Sequence, residues 1–200
     1  MKKFFHTVLT LFLLLIIFLL LFVGYISLRY MNWEKEFEKG INTTYVINQT
    51  SAESIDLGGK IAEFALSTDD VRSLELNVTE IGSVIYNTLD SYFGENINVE
   101  RIYIQPSESR WVIYIDLRYK RFSVWVSVDI NKDNVQSAQL YITEIKVGPF
   151  DISDISDVSS KINKGIGEAM VTLNENGLVG RYIENIELLG DFVILKGSRY

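Results

Sequence analysis

The residues with the plainest chemical potential are three aspartates in the run Asp151-Ile152-Ser153-Asp154-Ile155-Ser156-Asp157. Carboxylates at i, i+3 and i+6 lie near one helix face and could attract a divalent cation. A calcium loop, however, draws ligands from alternate positions around a glycine turn, and this run has neither feature. Aspartates also suit a helix N-terminus, where they complement the macrodipole, and a solvated helix face is the preferred reading. No metal site and no cofactor is expected.

Other chemistry is limited by what is missing. The chain has no cysteine, and its one histidine is His6, ahead of the main body. Ser-His-Asp and Cys-His catalysis and the usual zinc sites therefore lack their base or ligand there. No lysine has a serine three positions before it, which removes the Ser-x-x-Lys nucleophile. Gly58-Gly59 and Gly165-Ile166-Gly167 lack the flanks of a phosphate loop. Paired carboxylates could serve a glycosidase, but no motif singles out two of the 26 acidic residues. The sequons at Asn42, Asn48 and Asn77 read as chance. No catalytic residue is assigned, and no enzyme is expected.

Net charge is −7; without Lys2, Lys3 and Arg29, which lie in or beside the apolar N-terminus, 16 basic residues face 26 acidic ones, or −10. Such a body repels phosphate backbones, so nucleic acid is not an expected partner.

The apolar N-terminus comes first among the elements that must position any function. Val8 to Leu28 is a run of 21 residues interrupted only by Thr10, Gly24 and Ser27. As a helix it is about 30 Å long, enough to cross the hydrocarbon of a bilayer. Lys2 and Lys3 favour a cytoplasmic N-terminus, and Tyr25, Tyr30 and Trp33 fit an outer aromatic belt. A cleaved signal peptide would have a shorter apolar region and small residues at its cleavage site. Phe22 or Tyr25 occupies the −3 position of the plausible cuts. The expectation is a single-pass anchor in the cell membrane, with the rest of the chain extracytoplasmic.

Asn32 to Lys39 continues the helix to Gly40, and 41–59 reads as a loosely ordered stalk with one strand-like run, Thr44 to Ile47. Lys60 to Leu66 forms a helical turn or two. Asn77 or Thr79 caps an amphipathic helix with Ile81, Val84, Ile85, Leu89, Tyr92 and Phe93 on one face, stopped by Gly94. A β-meander follows: Ile97–Gln105, a turn at 106–109, Trp111–Tyr119, a tight Lys120-Arg121 connection, Phe122–Ile130, and Val135–Val147. Trp111, Ile113, Ile115, Leu117 and Tyr119 share one face; Phe122, Val124, Val126, Val128 and Ile130 share another. Trp125 sits in the polar phase of its strand. A phase shift near Thr143-Glu144 predicts a bulge, and hence a curved sheet. Ile152, Ile155, Val158, Ile162, Ile166, Ala169 and Leu173 trace a second amphipathic helix, weakened at Gly165 and Gly167. Two strands, Tyr182–Leu188 and Phe192–Lys196, close the chain.

The fold class expected is α+β: an N-terminal transmembrane helix, then a curved antiparallel meander packed with two amphipathic helices. The organisation is a cytoplasmic tail and anchor (1–31), a juxtamembrane helix and stalk (32–70), and an extracytoplasmic domain (71–200).

This order of elements resembles the YpmS-type family of membrane-anchored bacterial proteins. The likeness rests on the Leu74-to-Ile85 helix pattern, on Ile145-Lys-Val-Gly-Pro-Phe-Asp-Ile152, and on Tyr182-Ile-Glu-Asn-Ile-Glu-Leu188 with Phe192-Val-Ile-Leu-Lys-Gly197. More distantly the chain is similar to the mycobacterial LmeA-type lipid-binding proteins, related in shape to tubular lipid-binding domains. The resemblance covers roughly residues 70–197 and carries no catalytic set. It implies a bent sheet wrapping a helix around an apolar groove, and a lipid or lipid-linked envelope ligand. The expected lipid-facing residues are Ile85, Leu89, Trp111, Ile113, Ile115, Leu117, Phe122, Val124, Val126, Ile155 and Ile162. The alternatives are plain core cover of that face, a module docking an envelope protein partner, or a carboxylate-dependent envelope hydrolase.

Overall fold

The structure, a computed structural model, describes residues 2–93, 97–133, 135–154, 158–175 and 180–200. It divides into two compact units, 1–40 and 41–200. The first is one helix, α1 (Lys2–Gly40), about 58 Å long at 1.5 Å per residue. Its apolar stretch reaches a mean hydropathy of 3.0 with none of it buried, so it is long and apolar enough to cross a membrane. Past that stretch Trp33 stacks on Phe37 at 4.9 Å and tilts against Tyr30 at 5.8 Å.

The second unit is built on two antiparallel sheets. Strands β1 (Val46–Asn48), β3 (Asn98–Ser107), β4 (Arg110–Tyr119), β5 (Phe122–Asn131), β6 (Tyr141–Val147) and β7 (Phe150–Asp151) form the larger, in the order β1-β3-β4-β5-β6-β7. The smaller runs β2-β9-β8, from β2 (Val71–Asn77), β8 (Tyr182–Leu188) and β9 (Phe192–Ser198). Ile47, Ile102, Ile104, Trp111 and Ile113 of the first join Leu74, Leu76, Ile186, Leu188 and Val193 of the second in one core. Backbone bonds lace the sheets at one end: Ser109 N donates to Leu188 O and Ile186 N to Ser137 O, while the Trp111 indole donates to Leu189 O.

Residues 41–70, expected as a stalk, are part of this unit. After a 3-10 turn at Thr43–Tyr45, β1 pairs with β3, and α2 (Gln49–Glu53) begins at a capping box between Asn48 and Ser51. Ile47 and Ala52 are fully buried. The physical reason is Gly82 in α4 (Val78–Phe93): a Cβ there would stand 2.4 Å from Ile47 Cδ1, so only glycine lets β1 close on the helix. Next, α3 (Gly58–Leu66) places the buried Phe64 against Gly197.

The start of α4 is as expected. Asn77 Oδ1 accepts from Glu80 N, and Glu80 Oε2 accepts from Asn77 N, both at 2.9 Å. Its buried face differs: Val78, Gly82, Ser83 and Tyr86 point inward, whereas Val84 and Tyr92 are exposed. Leu74–Asn77, which the resemblance makes helical, is strand β2, because its partner β9 supplies the ladder. Gly94 lies outside the described residues.

In the meander, Pro106 and Ser107 extend β3, leaving a two-residue turn. The bulge appears as expected: Asp129 pairs with Glu144 and Ile130 with Ile142, leaving Thr143 unopposed. Strand β6 begins only at Tyr141, since Ser137 bonds to the backbone and side chain of β8 instead. The last helix, α5 (Val158–Glu175), runs through Gly165 and Gly167 without interruption. Ile152 precedes it, donating to Ile145 O; Asp151 lies in β7 and Asp154 in a turn, so these two aspartates share no helix face. Ile155 and Asp157 lie outside the described residues.

Candidate functional site

Register sets what the larger sheet offers. One face carries the rows Ile102–Ile115–Val126–Val147, Ile104–Ile113–Val128–Ile145 and Val99–Leu117–Val124. The β3 end of every row is fully buried, under α4. Toward β5 the cover thins: Ile115, Leu117, Val124, Val126, Val128 and Val147 are all partly exposed.

The other face of β5 is the more buried of the two. Trp125, Ser127 and Asp129 are each at most 8 % exposed. A neighbouring strand makes this possible: Arg110 grips Asp129 through Nε at 2.9 and 3.0 Å and through Nη2, and Asn131 and Thr143 extend the network. Likewise Arg101 bonds Asp116 at 3.0 Å and lies 4.8 Å from the centre of the Trp125 ring. Thus β5 buries its polar phase and leaves its valine phase partly open, the reverse of an ordinary half-buried strand.

Helix α5 shows the same inversion. Asn163 accepts from Ile142 N at 2.6 Å and donates to Ile142 O at 2.9 Å. Three turns later, Asn174 accepts from Ile183 N at 2.8 Å and donates to Ile183 O at 3.0 Å. Each amide imitates a strand neighbour, so the helix pairs the main-chain groups of Ile142 on β6 and Ile183 on β8. The attached stripe is Asn163, Gly167, Met170 and Asn174. The apolar stripe lies about 110° round the helix at 3.6 residues per turn: Ile166 is half-buried, Ile162 is 37 % exposed and Ala169 is exposed. On the opposite flank, Lys164, Glu168 and Val171 line a cleft with Tyr141, which belongs to the polar face of the sheet. The apolar stripe therefore turns toward the face carrying Val126 and Val147.

The partly exposed ends of these rows, Ile115, Leu117, Val124, Val126 and Val147, form an apolar strip across β4, β5 and β6, while Ile81, Ile85 and Leu89 of α4 pack against the core over β3. Of the residues expected to meet lipid, Ile115 pairs with Val126 and Leu117 with Val124 on this face, and Ile85 and Leu89 pack against the core. Trp111 and Ile113 are corrected to core: they are 2 % and 5 % exposed because the smaller sheet packs on them. Phe122 lies on the same face at the hairpin tip, 77 % exposed. Ile162 borders the strip, and Ile155 lies outside the described residues. Asn163 and Asn174, which fix α5 to β6 and β8, are not among the residues expected from the sequence. Their spacing of eleven on a helix was the available signal.

A second cleft, of about 730 Å³, lies between α5, residues 136–139 and β8. Polar groups, Gln136, Gln139 and Glu184 among them, share its lining with the apolar side chains of Ala138, Met170, Val171 and Ile183. No family model, curated protein or solved structure matches this chain.

Proposed function

We propose that this protein is a membrane-tethered, non-enzymatic domain that holds the acyl part of a lipid, or of lipid-linked envelope material, along the apolar strip across β4, β5 and β6. On this reading α1 is an uncleaved anchor, Lys2 and Lys3 keep the N-terminus cytoplasmic, and residues 41–200 work outside. The resemblance to the YpmS-type family points the same way.

One observation carries the reading: both β5 and α5 spend polar groups on internal bonds and leave apolar rows partly exposed. Apolar surface left in water forfeits about 25 cal/mol per Å², and contiguous uncovered patches mark binding surfaces. An acyl chain burying ~8 methylenes would recover on the order of 6 kcal/mol, at ~0.8 kcal/mol each, before the cost of association. The test is a titration of delipidated protein with a fluorescent acyl probe. Saturable uptake in the micromolar range is expected; protein that never takes up the probe ends the proposal.

A further inference from the structure

We propose that the β4–β5 hairpin tip is a second membrane contact, which inserts aromatic side chains into an anionic bilayer surface. The tip reads Arg118-Tyr119-Lys120-Arg121-Phe122, three cations within four positions of an otherwise acidic body. Tyr119 and Phe122 pair across the strands and are 47 % and 77 % exposed. Arg118 is held by Glu100 at 3.1 Å. Lys120 lies 5.1 Å from the centre of the Tyr119 ring, and among the described residues neither it nor Arg121 meets a carboxylate. Lys120 adopts φ +56, a conformation glycine would take without cost, yet a long cationic side chain stands there.

The same end of the sheet gathers more apolar surface. Asn98 pairs with Arg118, and α4 ends five residues earlier at Phe93, next to Tyr92, which is 84 % exposed. Exposed rings flanked by long cationic stems match the headgroup region, where rings sit at the interface and ammonium and guanidinium groups meet lipid phosphates. Charge selects the occupant: a patch of this sign in an acidic domain fits an anionic lipid surface. The Leu117–Val124 pair adjoins Tyr119–Phe122 on one face, so the apolar strip runs up to the tip. The contact itself does not depend on the strip holding lipid.

Because the chain has no cysteine, Phe122→Cys gives one labelling site in the full-length protein. An environment-sensitive fluorophore there is read in nanodiscs of phosphatidylcholine alone, or with phosphatidylglycerol added. Blue-shifted emission and protection from iodide are expected only in the anionic discs. Insertion should fall by roughly fivefold per charge removed in Lys120→Gln and Arg121→Gln. A label at Glu108→Cys, on the turn at the other end of the sheet, should stay aqueous, and one at Tyr92→Cys should follow position 122. The proposal is overturned if position 122 is as quenchable as 108 in every disc, inserts equally without phosphatidylglycerol, or ignores the two substitutions. Mass spectrometry of bound lipid on the same samples separates failure of the tip from failure of the strip.

Discussion

Arg181, just before β8, offers the sharpest test of how the domain is held together. Its side chain is wholly buried and donates to five main-chain carbonyls. Nε reaches Phe64 O at 2.7 Å, Nη1 reaches Gly197 O at 3.2 Å and Asp70 O at 3.4 Å, and Nη2 reaches Ser67 O and Asp69 O at 2.6 Å each. Dipoles at the end of α3 and in the following turn therefore balance the charge. Replacing Arg181 with Met removes the guanidinium and its desolvation cost together. The carbonyls of Ser67, Asp69 and Asp70 can rehydrate, since their bonds are only partly buried. Those of Phe64 and Gly197 cannot, and each orphaned acceptor costs about 1–3 kcal/mol. With the packing on Phe64 also lost, Arg181→Met should destabilise by about 4 kcal/mol, and Arg181→Lys, with three donors in place of five, by about 2. Urea melts of residues 41–200 give these values directly. In a domain of this size they correspond to falls of roughly 8–16 °C and 4–8 °C in Tm. Hydrogen exchange should place the loosening at residues 64–70. An Arg181→Met variant within ~0.5 kcal/mol of the parent would refute the reasoning.

Two further outcomes follow from the packing. Asn163→Ala with Asn174→Ala should release α5, costing on the order of 2 kcal/mol per clamp; exchange of the α5 amides should rise while α4 stays protected, and unchanged α5 exchange would deny the clamp. Burial, and then the carboxylates Asp90, Glu100 and Glu53, raise the pKa of Tyr86, whose hydroxyl donates to Val99 O at 2.9 Å. Its folded pKa lies above its unfolded value, so this stabilisation is full below about pH 10 and lost as pH rises through the folded pKa. Tyr86→Phe should lower stability by about 1 kcal/mol at neutral pH and flatten the alkaline fall in urea melts.

The elements were legible where local pattern decided them. Asn77 and Glu80 mark the start of α4, Thr143 the bulge, and the alternation of β4 and β5 their shared apolar face. What remained hidden depended on distant partners. Leu74 and Leu76 suit helix or strand until β9, more than 110 residues later, supplies the ladder. The Asn- and Ser-rich run at 41–59 reads as solvated because nothing local announces that Gly82 makes room for Ile47. Asp129 looks like a surface residue until Arg110 comes across from β4. Periodicity found the apolar stripe of α5, but two asparagines decide that another stripe is the attached one. Alternation likewise places Trp111 and Ile113 in one row with Ile115 and Leu117, and only packing separates the first two as core.

Apolar rows on β4 and β5 are left partly exposed, and in the proposed function an acyl chain covers them. The most direct measurement is native mass spectrometry of gently purified protein, comparing the parent with Val126→Glu. The parent should carry an acyl lipid, and the variant, still folded by its melting curve, should carry none, since a carboxylate in that row opposes burial of a chain. A parent free of lipid that also ignores the acyl probe, or a variant that retains the same lipid, would contradict the account.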